Sequence, residues 1–442
     1  MIEKEIGLII LTIGIFVVAV HTVGYVLERL RQPRLVGEIL AGIFLGPFVL
    51  GSIFPDVSNF IFNNPAIIKN GMPTVLSFLY WLGVLFLMFL SGSQVRRLLA
   101  KEQRRETAWL LGVGTPLPFL LVMGLGLASI IPLDTITGSK GVQSAALLVL
   151  ASAVAVTSIP VISRIFHDLR ILHTRFASLI LGSAVLEDIA LWGVLGVATA
   201  MTKTSSLSEQ SIVGESAEHI IVTIIYMAIA LFLAPRLLSR LRDIRWNILF
   251  RTSPIAYILC VLFAYVGIAA LLGVNLVLAA FLAGFGLVGG IKGGEREHFT
   301  EALDIVSKFS FATFIPIYFG LVGYRLVFGR EFSLDMLLIF LIGSSLIALL
   351  SVGFAARLAG FRKLDILNLA ITTNARGGPG IVLASIAYDA GIINAAFYTT
   401  LVLTAVFTSQ AAGTWLRFVL NKGWPLLSSN PEETWEKSTV KK

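Results

Sequence analysis

Glu187 and Asp188 stand side by side in LGSAVLEDIALWGVLGVA (Leu181–Ala198), and no other charge occurs between Phe176 and Thr199. Each charge at mid-bilayer costs roughly 2.5–3.5 kcal/mol on insertion scales, so an uncompensated pair is seldom kept without a use. A carboxylate withdrawn from water can hold a proton near neutral pH or exchange it for a cation. Two adjacent carboxylates repel and titrate as a coupled pair. Neighbouring helix positions point about 100° apart, so the two need not face one cavity. Arg376 is the clear intramembrane basic candidate for an ion pair, and one arginine cannot neutralise two carboxylates.

Such a pair needs oxygen-rich surroundings and an opening in an otherwise helical bundle. Two stretches are unfit for continuous helix. LLVLASAVAVTSIPVISRIF carries Thr157, Ser158 and Pro160 at its centre, and LNLAITTNARGGPGIVLASIAY carries Asn374, Arg376, Gly377, Gly378, Pro379 and Gly380. Proline removes a backbone donor and clashes with the preceding turn, while glycine costs about 1 kcal/mol against alanine in a helix. One such stretch alone reads as an ordinary membrane kink. Two at matching places in two halves point to a transporter site between inverted repeats, because irregular backbone at membrane depth survives only where protein or a wet cavity satisfies it. Thr157, Ser158 and freed carbonyls offer neutral oxygens to a hard cation. Arg376 can offset the carbonyl ends of half-helices or pair with a carboxylate.

The elements around these residues are read from composition. Of 442 residues 56% are hydrophobic and 14% charged, against about 25% charged in soluble domains; mean hydropathy is +0.88. Thirteen apolar stretches are expected to span, near 6–27, 35–50, 74–92, 107–131, 142–165, 176–200, 219–238, 254–272, 274–290, 309–328, 335–356, 365–388 and 394–416. Most are long enough to cross about 30 Å of hydrocarbon.

The net charge of +8 lies in alternate loops such as QVRRLLAKEQRRE and PRLLSRLRDIRWNILFR, so its meaning is topological, with no nucleic-acid partner. Positive-inside bias puts the N-terminus outside and the C-terminus in the cytoplasm. Cys260 is alone and excludes an intramolecular disulfide. MIEKEIGLIILTIGIFVVAV continues as a full span, so no cleavable signal is expected. Glu38, with Arg34 one turn earlier, reads as an interfacial ion pair, and Lys308 as a snorkelling residue at the start of a span.

In order along the chain, LVGEILAGIFLGP (Leu35–Pro47), AVTSIPVISRIF (Ala155–Phe166), SAVLEDIALW (Ser183–Trp192), FIPIYFGLVG (Phe314–Gly323) and NARGGPGIVLASIAYDAGII (Asn374–Ile393) resemble the monovalent cation:proton antiporters, in the branch of sodium/proton exchangers and potassium-efflux systems. The resemblance runs to about residue 420. It implies an all-α membrane protein of thirteen transmembrane helices, built as two inverted six-helix repeats with two crossing discontinuous helices. The first repeat covers about 1–200, a linker span 219–238, and the second repeat about 251–420, with 421–442 a short cytoplasmic tail. It further implies a core moving against a dimerisation domain by alternating access in a homodimer.

Residue by residue, Asp188 matches the essential ion-binding aspartate and is taken as the direct cation ligand. Glu187 matches the preceding position, which elsewhere is Asp, Asn or Gln, and is taken as its modulator or a second proton carrier. Thr157 and Ser158 match the first crossover, and Arg376 the basic residue of the second, with Asn374, Pro160 and Pro379 shaping the two breaks. Electrogenic relatives carry a lysine in the eleventh span, whereas residues 336–356 here hold no charge. Electroneutral relatives usually carry an amide where Glu187 stands. Stoichiometry is therefore open.

The expected function is secondary exchange of protons for Na+ or K+ in a bacterial plasma membrane, with no catalytic residue, enzyme activity or cofactor. The alternative is a sodium-coupled symporter of a small organic acid, which has no need of an acidic doublet on an uninterrupted helix. A channel would show a repeated filter sequence. An intramembrane hydrolase would show aspartates meeting from two helices or a zinc motif such as H-E-x-x-H.

Overall fold

The computed structural model describes residues 2–30, 32–62, 72–97, 104–172, 174–203, 209–243, 247–288, 295–329 and 332–428. The loops at 63–71, 98–103, 204–208, 244–246 and 289–294, on which part of the charge-placement reading rests, lie outside these. So do residues 429–442 of the expected tail.

The described residues are helical with no β-strand, only an isolated bridge between Thr137 and Ile393. Among them, eleven helices are long and apolar enough to cross a membrane. The expected span at 274–290 is the shorter helix Leu276–Leu287, and that at 365–388 is two half-helices, Leu364–Thr373 and Gly377–Asp389.

The chain divides into two compact units, each assembled from separate stretches: residues 1–94 with 222–332, and 95–221 with 333–442. In the first unit, Arg34–Leu45 packs on Phe314–Tyr324 so closely that a Cβ on Gly42 would lie 1.8 Å from the Gly320 carbonyl oxygen, and one on Gly323 2.0 Å from that of Ile39. Membrane helices use small residues to bring backbones together in this way. Arg34 Nε lies 3.3 Å from Glu38 Oε1, as the sequence suggests, and the Arg34 guanidinium also meets the His21 ring.

Lys308 is placed differently from expectation. It sits inside the helix Glu295–Ala312, exposed and 2.8 Å from Asp304 Oδ2. That helix starts well before the apolar run because it is one-sided: Phe299, Ala302, Leu303 and Val306 recur at helical spacing and are buried, while the opposite face is charged.

The second unit holds every candidate site residue. We label its principal helices α1 (Pro116–Leu127), α2 (Gln143–Ala155), α3 (Ile159–Asp168), α4 (Arg175–Lys203), α5 (Leu334–Leu358), α6 (Leu364–Thr373), α7 (Gly377–Asp389) and α8 (Ala395–Asn421). The α1–α2 and α7–α8 loops are tied by backbone bonds from Gly138 N–H to Ile392 O (2.8 Å) and from Asn394 N–H to Ile136 O (3.0 Å). After α8 the chain folds back onto the start of α6. There the Ser428 N–H donates to Asp365 Oδ1 at 2.7 Å, and Asn368 Nδ2 donates to Leu426 O at 3.1 Å.

Candidate functional site: a helix crossing beside two buried carboxylates

The first break follows from Pro160. Pro160 has no N–H for the carbonyl of Val156 four residues back and its ring clashes with that group, whereas proline fits the first turn of a helix, where its missing N–H is not needed. Accordingly α2 stops at Ala155, Val156 is extended (φ −68°, ψ 134°), and α3 starts at Ile159 with half-buried Pro160 in its first turn. Ser158 caps α3, its Oγ accepting from Val161 N–H at 3.4 Å.

The second break is set by glycine. Gly377 has φ +37°, in the left-handed region, and a Cβ there would sit 2.5 Å from Ser158 Oγ and from Val161 Cγ2. Only a residue without Cβ lets α7 begin against the first break. Pro379, buried in the first turn of α7, again costs no needed donor.

The two breaks are bonded to one another. Ser158 N–H donates to Ala375 O at 2.7 Å, and Thr157 Oγ1 donates to Thr373 O at 2.9 Å. From α8, Ser409 Oγ accepts from Gly377 N–H at 3.1 Å and Thr408 Oγ1 from Arg376 N–H at 3.4 Å. Backbone groups orphaned by the missing turns thus find partners inside the protein, as membrane depth requires. The arrangement gathers the negative carbonyl ends of α2 and α6 with the positive amide ends of α3 and α7.

Arg376 is 2% exposed. Its Nη1 donates to Ser344 Oγ at 2.8 Å, its Nη2 to Asn374 Oδ1 at 3.5 Å, and its guanidinium lies 5.5 Å from the Phe340 ring centre. Among the described residues it makes no salt bridge with Glu187 or Asp188. Its guanidinium meets Ser344, Asn374 and Phe340 rather than the acidic pair.

Glu187 and Asp188 lie in the unbroken α4, 4% and 0% exposed. Glu187 Oε2 accepts a hydrogen bond from Thr115 Oγ1 at 3.1 Å. Among the described residues, neither carboxylate oxygen of Asp188 has a hydrogen-bond partner. A buried ionised carboxylate left in that state is costly, and a proton or a bound cation relieves the cost.

A cavity of about 20 Å³, with Thr115, Thr157, Ser183, Glu187, Thr373 and Asn374 in its wall, has room for one water or one bare monovalent ion. Thr157, Asn374 and Glu187 are thus brought together on one space. Asp188 lies next to Glu187 in the chain but outside that wall, as the angle between neighbouring helix positions allows. Pro160 and Pro379 act on the backbone of the breaks, and Ser158 and Arg376 are held by the crossing.

Two contributors escaped sequence reasoning. Thr115 was signalled by GVGTPLP (Gly112–Pro118), a third Gly/Pro interruption inside an apolar run, and Ser344 only by the polar pair in GSS (Gly343–Ser345).

Comparison with known proteins gives this geometry a context. Residues 15–422 match the family described as sodium/hydrogen exchanger, transmembrane. Over 211 residues the chain is 36% identical to cation/H(+) antiporter 18 of Arabidopsis thaliana, covering 46% of this chain and 24% of that protein. It is 23% identical over 415 residues to the Na(+)/H(+)-K(+) antiporter GerN of Bacillus cereus, covering 92% and 95%. The chain spans half or less of the length of the plant relatives it matches. The solved sodium proton antiporter MjNhaP1 from Methanocaldococcus jannaschii shares its fold, with a TM-score of 0.59 at 16% identity over 94% of this chain and 98% of that one. An integral membrane chain of apolar helices, with two helices broken beside a buried acidic pair and a family match along nearly its whole length, belongs to the sodium/hydrogen exchanger transmembrane family.

Proposed function

We propose that this chain exchanges protons for a monovalent cation, Na+ or K+, by alternating access, in which one site opens to one side of the membrane at a time. The observation that carries this reading is Asp188: it is fully buried beside Glu187 in α4, and among the described residues both its oxygens lack hydrogen-bond donors. A carboxylate in that state is satisfied by a proton or by a cation and cannot hold both. Binding one expels the other, which is the stoichiometric link an exchanger needs. Glu187, Thr157 and Asn374 supply further oxygens around the adjacent cavity, a donor set suited to a hard ion such as Na+ or K+. Arg376 supports the crossing by holding a positive charge near the half-helix carbonyl ends.

Relatives named as Na+/H+ and K+/H+ antiporters support the same substrate class. We place the chain as a homodimer in a bacterial plasma membrane with the N-terminus outside. The two inverted repeats, about 1–200 and 251–420, would each contribute a stretch to both compact units. Purified protein in liposomes with a trapped pH dye tests the reading. Added Na+ or K+ dissipates an imposed pH gradient and choline does not; dissipation by neither cation, or by choline equally, contradicts it.

A further inference from the structure

The geometry points to Thr115 as a positioning residue that fixes the Glu187 carboxylate against the cavity and thereby sets cation affinity; this rests on the exchange reading above. Thr115 stands between a π-helical turn, Leu110–Gly114, and α1, which opens with Pro116 and carries Pro118. Neither proline has an N–H to donate, so the α ladder cannot run on through this turn, and the wider π turn absorbs the mismatch. Single π turns inside α-helices are frequent at functional sites.

A threonine inside a regular membrane helix ordinarily donates its hydroxyl to the carbonyl four residues back. Thr115 instead donates to Glu187 Oε2 at 3.1 Å, on another helix. Its neighbours keep it there: Gly114 faces Ala355 and Val352 of α5, so the π turn is packed on that helix. Thr115 and Glu187 share the cavity wall with Thr157 and Asn374. One oxygen of Glu187 is held by the Thr115 hydroxyl, and Thr157 also approaches the carboxylate through its side chain and backbone, so that the two threonines keep it beside the oxygens that would face an ion. A glutamate has three rotatable bonds, and without the Thr115 tether the carboxylate is less preorganised for the ion.

The test uses full-length protein in detergent, with the rise in melting temperature on adding NaCl or KCl against choline chloride giving an apparent Kd. Thr115→Val keeps the shape and removes the donor, and should weaken the Kd for the stabilising cation about tenfold. Thr115→Ser, which keeps the hydroxyl, should stay within about twofold. Thr115→Ala serves where Thr115→Val is not recovered. In a Glu187→Met background, which keeps length and removes the acceptor, Thr115→Val should add less than about twofold, since both changes cut one interaction. An equal loss in both backgrounds, or no loss in the native one, overturns the proposal. Asp188→Asn is measured alongside. If it still binds the cation, the exchange reading itself fails; if it does not while Thr115→Val binds normally, only the role of Thr115 falls.

Discussion

Replacing Gly377 by alanine attacks the crossing at its tightest point. The residue has φ +37°, and the new Cβ would lie 2.5 Å from Ser158 Oγ and Val161 Cγ2 and 2.9 Å from Ser158 Cβ. Ordinary contacts between carbons lie near ~3.5–4.0 Å, and two of these three atoms belong to the residue that caps α3, so they cannot rotate away freely. A left-handed backbone costs an alanine about 1–2 kcal/mol, and overpacking a closed site adds about 1–3 kcal/mol. Together Gly377→Ala should destabilise the second unit by roughly 2–5 kcal/mol, which corresponds to a fall in Tm of roughly 5–15 °C. The same displacement stretches the Ser158–Ala375 and Thr157–Thr373 bonds that register the two breaks, so exchange should fall at least tenfold even well below the new Tm. Gly343 of α5 is the control, because a Cβ there meets nothing within 4 Å; Gly343→Ala should be neutral or slightly stabilising through helix propensity. The assay is thermal melting by size-exclusion recovery together with dye-reported exchange in liposomes. A Gly377→Ala protein that melts and exchanges like the parent would refute the reasoning about the crossing.

Two further predictions concern charges. Arg376→Ala removes the hydrogen bonds to Ser344 and Asn374 and the stacking on Phe340; with charge-assisted bonds worth about 1.5–3 kcal/mol each, exchange should fall sharply and folded yield with it, while Arg376→Lys should recover part of both. Near-parental exchange by Arg376→Ala would remove the residue from the site. Two titratable carboxylates without a lysine in α5 allow two protons to move against one cation, so a potential set by valinomycin should drive Na+ accumulation, and Glu187→Gln should abolish that response; uptake by the parent that ignores the potential would instead mean one-for-one exchange.

The make-up of the candidate site was legible where it is local. Adjacent carboxylates in an apolar run, and Pro or Gly where helix should continue, are anomalies visible in the residues themselves. Thr157, Glu187 and Asn374 accordingly meet at one cavity. What depends on distant pairing was not legible. The Thr115 hydroxyl reaches Glu187 only because a π turn re-aims it, and no periodicity announces which way a re-aimed side chain points. Ser344 becomes a partner of Arg376 through the packing of α5. The extent of the helix Glu295–Ala312 was misread because a search for continuous apolar runs passes over a one-sided helix whose charged face is exposed. The two compact units join stretches far apart in the chain, and hydropathy carries no record of which helices pack together.

The central claim is that Asp188 is the group on which proton and cation compete. Asp188→Asn keeps the shape of the side chain but can neither release a proton nor hold charge for a cation. Alongside Glu187→Gln, at matched protein levels in liposomes, it should be examined over a range of pH with Na+, K+ and choline. Asp188→Asn should be folded, at least as stable as the parent because a costly buried charge has gone, and without measurable exchange at any pH or cation concentration. Glu187→Gln should keep part of its exchange with an altered pH dependence. An active Asp188→Asn beside an inactive Glu187→Gln would contradict the account and move the ion to Glu187, the residue whose carboxylate faces the cavity.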